Sequence, residues 1–598
     1  MSRQRFHTYF RSFLFIIFFM LIEHIYASIL CDYASFWAIR DIPLITLSTS
    51  LLCMIFCIIP SKKSALFIWL CFVAAISPLC ILSLSNQAIH LYDVYAYISF
   101  WAGVTGLLIA VIRMTKIRLL RHILSFITAF TLLIPAICLW SYFIITHSWI
   151  KSSTILAISQ TNFHEAVNYL QLHSSISLCF PFILLIGALI YFIKSCRTGK
   201  TFAFASHKHK WLSVIILSFP SLFLVYSCNE NLFTDIYTGS RQYLKSYHQY
   251  ILQKDIRQSQ IKVLSSRAEN LPASGVYVLV IGESENKLHM GAYGYPRDTT
   301  PWLSTIKSHD NVVLFNNAYS CYSQTVQVLT YALSAKNQYN SIPLEKAPSI
   351  IEAARAAGYD TAWISNQMQF GVYDTPVSYI ASSADKTFWL NNYIGNASGT
   401  RIQTSAYDEI VLHGLDELPS SDHALIIIHL MGSHFVYDER YPRNYDVYRD
   451  GNRLTNSYDS TILYNDYVLS KIYNTVKTFP HFQALIYFSD HGEGIDDGLT
   501  HDAVNFIYPM TYTPMYVIFS QDYMNKHPAI YQSLKNHRDA YFTNDLIFNT
   551  TISIMGIQIP EIYEPENDIT STAYDDRPER FLTMYGTKRI VDDPREKP

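Results

Sequence analysis

Charged side chains are scarce in this chain. They make up 15% of its 598 residues, against roughly 25% in soluble domains. The net charge of −2 offers no basic surface, so no nucleic-acid partner is expected. Cysteine is also nearly missing from the second half, because nine of the ten cysteines lie at or before Cys228 and only Cys321 follows. The C-terminal part therefore cannot form a disulfide with itself and must be stabilised by its core.

Long apolar runs are concentrated before residue 228. A chain of 598 residues is too long for one ordinary domain. Several runs reach the roughly 17–25 residues needed to cross a bilayer. They lie near 11–30, 41–60, 65–84, 93–113, 122–146, 175–195 and 211–228. We therefore predict a transmembrane domain of about seven helices at 1–228.

Lysine and arginine cluster in every second loop between these runs, which predicts that those loops are cytoplasmic. The clusters lie at 3–11, 62–63, 113–121 and 194–210. With an odd number of spans, everything after residue 228 lies on the far side of the membrane, which in a bacterium is the periplasm or cell exterior. An even number of spans would leave that part in the cytoplasm.

Two segments flank the last predicted spans. The outward loop 147–174 contains Thr161 and Glu165, which share one face of a helix because they are four residues apart. The residues alone favour a capped amphipathic helix on the membrane surface. The segment 229–272 is polar and rich in Lys and Arg, which predicts a helical, solvated connector.

From residue 273 to 598, β-type runs alternate with helical patterns. This alternation is typical of an α/β domain with a doubly wound, mostly parallel sheet. The predicted strands are 276–282, 312–316, 360–365, 424–430, 483–489 and 514–519. The predicted helices lie near 301–308, 347–357, 403–417, 458–478 and 540–555.

Metal-ligand residue types follow several of these strands, at the sheet edge where α/β domains bind ligands. They are Glu283, His429, His434, Asp490, His491 and His501. Such mixed oxygen and nitrogen donors suit zinc, manganese or a similar divalent ion. Hydroxyls at Ser323 and Thr325 precede a helix-like stretch, and a metal-bound hydroxyl is a nucleophile. The residues predict phosphoryl or sulfuryl transfer through a covalent intermediate, with either hydroxyl as the nucleophile.

Four motifs resemble the phosphoethanolamine transferases of Gram-negative inner membranes, within the alkaline phosphatase/sulfatase superfamily. They are VIGESENKLHMGAYGYPRDTTP (280–301), SCYSQT (320–325), HLMGSHFVYDERYP (429–442) and SDHGEG (489–494). The resemblance covers the whole of 273–598 and the multi-span anchor in outline. It implies an alkaline phosphatase/sulfatase-like fold, a bacterial inner-membrane location and a periplasmic catalytic domain.

The same resemblance implies the roles of individual residues. Thr325 would be the nucleophile, and one or two zinc ions, or another divalent metal, would be the cofactor. The implied zinc ligands are Glu283, Thr325, Asp490 and His491; His434 and His501 would bind a second zinc or the substrate phosphate; Thr161 and Glu165 would contact a lipid headgroup.

The implied reaction moves phosphoethanolamine from phosphatidylethanolamine to an envelope glycan or lipid through a phosphothreonine-type intermediate. Several features differ from members that modify lipid A. The usual anchor has five spans rather than seven, Ala157 replaces an Asn, the disulfides are missing, and NQMQFGVYD after WIS lacks a Lys and a Cys. The sequence is closer to the branch that acts on lipopolysaccharide core or periplasmic glucans.

Three rival interpretations are open. A membrane-anchored sulfatase would need a C/S-x-P-x-R context, which SCYSQTV does not provide. A glycerolphosphate transferase similar to lipoteichoic acid synthases would also use a metal-bound threonine, but the GSH and RYP elements fit it less well. A non-catalytic membrane scaffold would have lost a ligand, whereas every expected ligand type is present.

Overall fold

The computed structural model divides the chain into two compact units, Met1–Gln242 and Tyr243–Pro598. It describes residues 42–58, 62–84, 91–146, 149–150, 154–155, 158, 183, 186–187, 190, 194, 210–229, 231–257, 259, 275–367, 375–390 and 407–595. The predicted span 11–30, nearly all of 175–195, and both Thr161 and Glu165 lie outside the described residues.

The first unit consists of apolar helices in its described part. They are α1 (Ile42–Ile58), α2 (Lys62–Ile76), α3 (Leu79–Leu84), α4 (Leu91–Met114), α5 (Arg118–Thr146) and α6 (Lys210–Ser227). Two stretches, Asp93–Met114 and Leu119–Thr146, are long and apolar enough to cross a membrane. A third passes if α6 and the following helix, bent by 60°, form one span. Seven spans therefore remain a prediction.

Glycine allows α4 and α6 to pack closely. A Cβ atom added at Gly103 would lie 2.9 Å from the carbonyl oxygen of Ser221, and one added at Gly106 would lie 2.1 Å from its hydroxyl. Neither position has room for a larger side chain without movement of the helices. Small residues at helix contacts are typical of membrane bundles, where close backbone approach replaces hydrophobic driving force.

The segment predicted as a solvated connector is helical at α7 (Leu232–Leu252), and its end is largely exposed, but Tyr250 and Arg257 are fully buried. Arg257 is 0% exposed and its Nε lies 3.3 Å from Glu352 Oε2. The guanidinium also lies 3.9 Å from the centre of the Tyr250 ring. Arg257 is thus an exception to the predicted solvation of this segment, because a basic residue can be buried when a carboxylate and an aromatic face replace its water.

The second unit is built on a seven-stranded sheet. Its strands are β1 (Gly275–Gly282), β2 (Val312–Phe315), β4 (Asp360–Ser365), β5 (Lys386–Trp389), β6 (His423–His429), β7 (Phe482–Ser489) and β8 (Met515–Phe519), while β3 (Asn317–Tyr319) lies outside this sheet. The strand order in the sheet is β2-β8-β7-β1-β6-β4-β5. Strand β8 runs antiparallel to both neighbours, and the other pairs are parallel. The predicted, mostly parallel sheet is confirmed, and only the exposed edge strand β5 was missed.

Both faces of the sheet are covered, so its central strands are mostly apolar and almost entirely buried. Along β1, Tyr277, Leu279 and Ile281 pack into one core and the alternating valines pack into the other. The covering helices are α8 (Pro301–Ile306), α9 (Thr325–Ala332), α10 (Ile350–Ala356), α11 (Pro376–Ser382), α12 (Val411–Asp416), α13 (Arg453–Val476), α14 (Gln521–Lys526), α15 (Pro528–Asn536) and α16 (Ile547–Ile554).

The predicted helix 540–555 is only partly correct. Its first residues form β9 (Tyr541–Thr543), which pairs in parallel with β3, and the α-helix begins at Ile547. Aromatic and β-branched residues such as those of Tyr-Phe-Thr are common in strands, and here they form one because β3 is available as a partner. A small hairpin of β10 (Leu582–Thr583) and β11 (Lys588–Arg589) follows.

Replacement of Glu352 by alanine should destabilise the second unit strongly. The change leaves the Arg257 guanidinium buried without its carboxylate, which costs about 3–5 kcal/mol for a buried pair. It also removes half of the capping box that Ser349 and Glu352 form at the start of α10. Thermal unfolding of the full chain in detergent should show a fall of several degrees.

Arg355→Ala on the same helix is the matched control. Its ion pair with Asp385 is solvent-exposed, with side-chain exposures of 46% and 38%, and such pairs contribute below about 1 kcal/mol. Equal unfolding temperatures for Glu352→Ala and Arg355→Ala would contradict a structural role for the buried pair.

Candidate active site

The ends of β1 and β7 bring three ligand-type side chains together. These strands are neighbours, with Ile281 opposite Phe488 and Gly282 opposite Ser489. Glu283 therefore emerges beside Asp490 and His491, and all three are 0% exposed. Directly after Glu283 the backbone turns sharply, because Ser284 has a φ of 61°, which is uncommon for a residue other than glycine.

The ligand atoms of Glu283, Asp490 and His491 all lie within 4.8 Å of one another. His491 Nε2 is 3.4 Å from Glu283 Oε1 and 3.5 Å from Asp490 Oδ2. The other ring nitrogen, Nδ1, lies 3.0 Å from the carbonyl oxygen of Gly492, which can only accept a hydrogen bond. The Nδ1 position therefore carries a proton, and Nε2 faces the two carboxylates.

Thr325 completes this cluster from a different element. It is the first residue of α9, and its Oγ1 lies 3.1 Å from Glu283 Oε2 and 3.5 Å from His491 Nε2. The Ser323 hydroxyl is buried and has no hydrogen-bond partner in the part of the chain that the structure describes. Of the two hydroxyls that the sequence left open, the structure brings Thr325 to the carboxylates.

The remaining predicted histidines lie at different distances from this centre. The His501 ring centre is 4.5 Å from that of His491 and 6.5 Å from that of His434. Glu493 Oε1 lies 2.8 Å from His501 Nδ1 and so orients that ring. His429 instead packs edge-on against Trp363, with ring centres 5.8 Å apart. His434 and His501 thus flank the cluster, and His429 lies against the core.

Burial sets the electrostatics of the cluster. Burial, and then the neighbouring charge of Glu283, raises the pKa of Asp490 to about 7. Burial alone would lower the pKa of His491, but the two carboxylates raise it to about 10. Burial also opposes ionisation of Glu283, yet contact with His491 holds its pKa below the usual value. Two carboxylates thus compete for one imidazolium.

A divalent cation fits this donor set. Asp490 Oδ2 is buried and has no hydrogen-bond partner among the described residues, although a carboxylate oxygen in a protein interior normally has one. Two carboxylates and an imidazole nitrogen are the donors that zinc and similar ions prefer. Glu283, Asp490 and His491 could therefore hold a divalent metal beside the Thr325 hydroxyl.

The loop after β6 is shaped to hold Glu283 in place. A Cβ atom at Gly432 would lie 2.7 Å from the carbonyl oxygen of Glu283, and the φ of Gly432 is +51°. This close approach lets the Ser433 N–H donate to that carbonyl at 2.8 Å. The Asp408 carboxylate accepts the backbone N–H groups of Met431 and Gly432, both at 2.8 Å. The glycine of the GSH motif is thus needed for steric reasons.

Two functional neighbours were not found from the sequence. Gln367 Nε2 donates to Glu283 Oε2 at 3.1 Å and to the Leu430 carbonyl at 3.0 Å. Asn544 donates to the Asp490 carbonyl at 2.6 Å and accepts from the Cys321 N–H at 3.0 Å. Gln367 follows the end of β4 at the same sheet edge, so its position after a predicted strand could have indicated a place in the site. Asn544 comes from a segment far away in the sequence, and no local pattern indicated its contact with Asp490.

Comparison with known proteins shows which proteins the second unit is similar to. The sulfatase family model matches residues 276–557, which include all four residues of the cluster. The chain is 32% identical over 287 residues to the phosphoethanolamine transferase EptC of Escherichia coli (strain K12), covering 44% of this chain and 48% of the relative. The matched part of the chain is thus similar to the phosphoethanolamine transferases of the alkaline phosphatase/sulfatase superfamily. The family prediction is therefore confirmed.

Other members of the family extend the match. The phosphoethanolamine transferase CptA of Salmonella typhimurium (strain LT2) is 27% identical over 386 residues, which are 59% of this chain and 64% of that protein. The aligned part spans about half the length of the first relatives. The integral membrane protein EptA of Neisseria meningitidis is 21% identical, with 86% of this chain and 99% of that chain covered at a TM-score of 0.57. This likeness confirms the predicted fold class.

We expect Asp490→Asn to abolish stable zinc binding. The substitution removes one of two buried carboxylate charges, and loss of a direct ligand should cost more than the roughly tenfold that loss of an outer contact costs. Zinc in the purified full-length protein is measured by elemental mass spectrometry after dialysis against a weak chelator. Asp497→Asn, an exposed carboxylate six residues after His491, is the matched control. Equal zinc content in both variants would contradict the metal site.

Proposed function

We propose that this chain transfers phosphoethanolamine from phosphatidylethanolamine to an acceptor in the bacterial envelope, through a phosphothreonine-type intermediate on Thr325. The observation that carries the proposal is the Thr325 hydroxyl, 3.1 Å from Glu283 Oε2 at the first turn of α9, in a chain of this family. The membrane domain at 1–228 and the connector 229–272 anchor a catalytic domain, 273–598, in the periplasm.

In the first half-reaction, Thr325 Oγ1 forms a bond to the phosphorus of the donor lipid. The phosphorus–oxygen bond to the glycerol breaks, and diacylglycerol leaves with the proton that the threonine has lost. Bound at Glu283, Thr325, Asp490 and His491, zinc would lower the pKa of the hydroxyl and screen the phosphate charge. Because Thr325 begins α9, the first backbone N–H groups of this helix would add donors for the same anion. Gln367 and Ser433 keep Glu283 in place.

In the second half-reaction, an acceptor hydroxyl or phosphate attacks the phosphorus and releases Thr325. Either His434 or His501 accepts the acceptor's proton, or both bind the phosphate or a second zinc. Burial lowers the pKa of His434 to about 4, so this ring is neutral at physiological pH, which is the form that binds a metal or donates a hydrogen bond to phosphate. Glu493 orients His501 for the same task.

The acceptor belongs to the envelope glycans and lipids: lipopolysaccharide core, lipid A or a periplasmic glucan. The relatives are named as phosphoethanolamine transferases, and the Neisseria meningitidis protein as a lipooligosaccharide phosphoethanolamine transferase. Thr161 and Glu165 are proposed to contact the headgroup of the donor. A sulfatase or a glycerolphosphate transferase of the same superfamily is the alternative, and the SCYSQT segment speaks against the sulfatase.

Thr325→Ala should reduce release of diacylglycerol from phosphatidylethanolamine to background, because it removes the attacking oxygen. The assay uses purified full-length protein with zinc and labelled phosphatidylethanolamine in mixed micelles. Thr325→Ser, which keeps a hydroxyl, should retain measurable release.

Ser323→Ala is the matched control. The Ser323 hydroxyl is buried without a hydrogen-bond partner among the described residues, so its removal should leave release near that of the unchanged protein. Release by Thr325→Ala at an undiminished rate, or loss of release only in Ser323→Ala, would overturn the assignment of the nucleophile.

A further inference from the structure

A polar cleft of about 720 Å³ lies on the second unit, outside the residues assigned to phosphoryl transfer. Its walls come from the segment that follows the GSH motif, from the start of α13 and from Tyr407. The lining side chains that matter here are Tyr407, Asp438, Tyr441, Arg443, Asp446 and Arg453.

The cleft is a short distance from the active site. Asp438 is four residues after His434, so their Cα atoms are at most about 14 Å apart. Ser457 lines the cleft and donates a hydrogen bond to Asp438. The next residue, Tyr458, donates from its hydroxyl to the carbonyl oxygen of Ser284 at 2.6 Å, one residue from Glu283. The cleft wall is therefore connected through neighbouring residues both to His434 and to the backbone next to Glu283.

The charges of the cleft favour an anion. Asp438 accepts from Arg453 Nη2 at 2.6 Å, and Asp446 accepts from both Nη atoms of Arg449. These carboxylates are thus already neutralised. The guanidinium of Arg443, which is exposed, contacts no acceptor in the described residues. The lining contains three arginines and two aspartates: Arg443, Arg449, Arg453, Asp438 and Asp446. The cleft therefore has one excess positive charge, which is that of Arg443.

The aromatic side chains of the cleft favour a saccharide. Tyr407 is 40% exposed, and its ring is held edge-on by Tyr464 at 5.9 Å, so a face is available for contact. Tyr441 is buried at the cleft wall with its hydroxyl directed at Asp438, 3.4 Å away. A rigid aromatic face next to polar groups binds the apolar C–H side of a sugar ring at low entropic cost.

We propose that this cleft is the subsite for an anionic sugar of the acceptor, with Arg443 bound to its phosphate or carboxylate and Tyr407 packed against its ring. The inference rests on the proposed transfer function and adds the class of acceptor: a glycan that carries negative charge close to the hydroxyl or phosphate that is modified. Arginine provides a planar fork of donors that matches either anion.

The test measures binding of glucose 6-phosphate, galacturonate and glucose to the purified full-length protein by saturation-transfer NMR. We expect the two anionic sugars to bind and glucose to bind much more weakly. Arg443→Glu should weaken binding of the anionic sugars by about tenfold or more, as loss of a charge-assisted hydrogen bond does. Saturating phosphoethanolamine, which fills the active site, should not displace them.

Controls separate the cleft from general effects of charge or folding. Arg538→Glu reverses an exposed arginine whose partner is the neighbouring Asp539, and it should leave binding unchanged. Tyr407→Ala, which keeps all charges, should also weaken binding. Equal binding of glucose and glucose 6-phosphate, no binding of either anionic sugar, unchanged binding in Arg443→Glu, or displacement by phosphoethanolamine would overturn the proposal.

Failure of the proposed function gives a different result. Anionic sugars that bind as expected, to a protein that releases no diacylglycerol, would retain the cleft as a sugar site and refute the transfer reaction. Release of diacylglycerol without selective binding of anionic sugars would support the transfer reaction and refute the sugar subsite in the cleft.

Discussion

Two carboxylates, Glu283 and Asp490, are buried beside one imidazole at the edge of the central sheet, and contacts from several separate segments of the second unit hold them there. A buried ionised carboxylate is costly unless a partner compensates it. His491 can supply one positive charge, and Asp490 Oδ2 has no hydrogen-bond partner among the described residues. A divalent cation would supply the missing charge and the missing contact, which is why the arrangement favours a metal centre over a structural ion pair.

The surrounding structure shows how such a strained arrangement is maintained. Ser284 has a left-handed backbone, and its carbonyl is fixed by the Tyr458 hydroxyl. Gly432 passes so close to Glu283 that no side chain fits. Asn544 links the Asp490 carbonyl to the segment before Thr325. Each contact comes from a different element, so nucleophile and ligands are positioned by the fold as a whole. Strain of this kind is typical of functional sites.

Much of this architecture was predictable from the sequence. The six predicted strands are present because each is a short β-type run bounded by turn residues, and Glu283, Asp490 and His491 follow directly from strand ends. Local patterns could not show which hydroxyl reaches the carboxylates. Ser323 and Thr325 are close together in the sequence, and only the turn that begins α9 determines which of the two side chains points to the site. They also missed Asn544 and the burial of Arg257, since both depend on contacts between segments far apart in the chain.

The described part of the first unit consists of apolar helices, and two of them, α4 and α5, contain stretches that are long and apolar enough to cross a membrane. In the second unit, charges are paired almost everywhere on the segment after the GSH motif, and the arginine at 443 stands out because the described residues offer it no acceptor. This contrast is the basis for proposing an anionic-sugar subsite in the cleft that Arg443 lines.

In the proposed reaction, Thr325 is the residue that carries the transferred group. Tandem mass spectrometry of the peptide that contains Thr325 tests this assignment, after the zinc-loaded protein has been incubated with phosphatidylethanolamine and quenched in acid. We expect a phosphoethanolamine adduct on Thr325, and none on that peptide from Thr325→Ala. An adduct on another residue of an active protein, or active turnover with no adduct under conditions that trap a phosphothreonine standard, would contradict it.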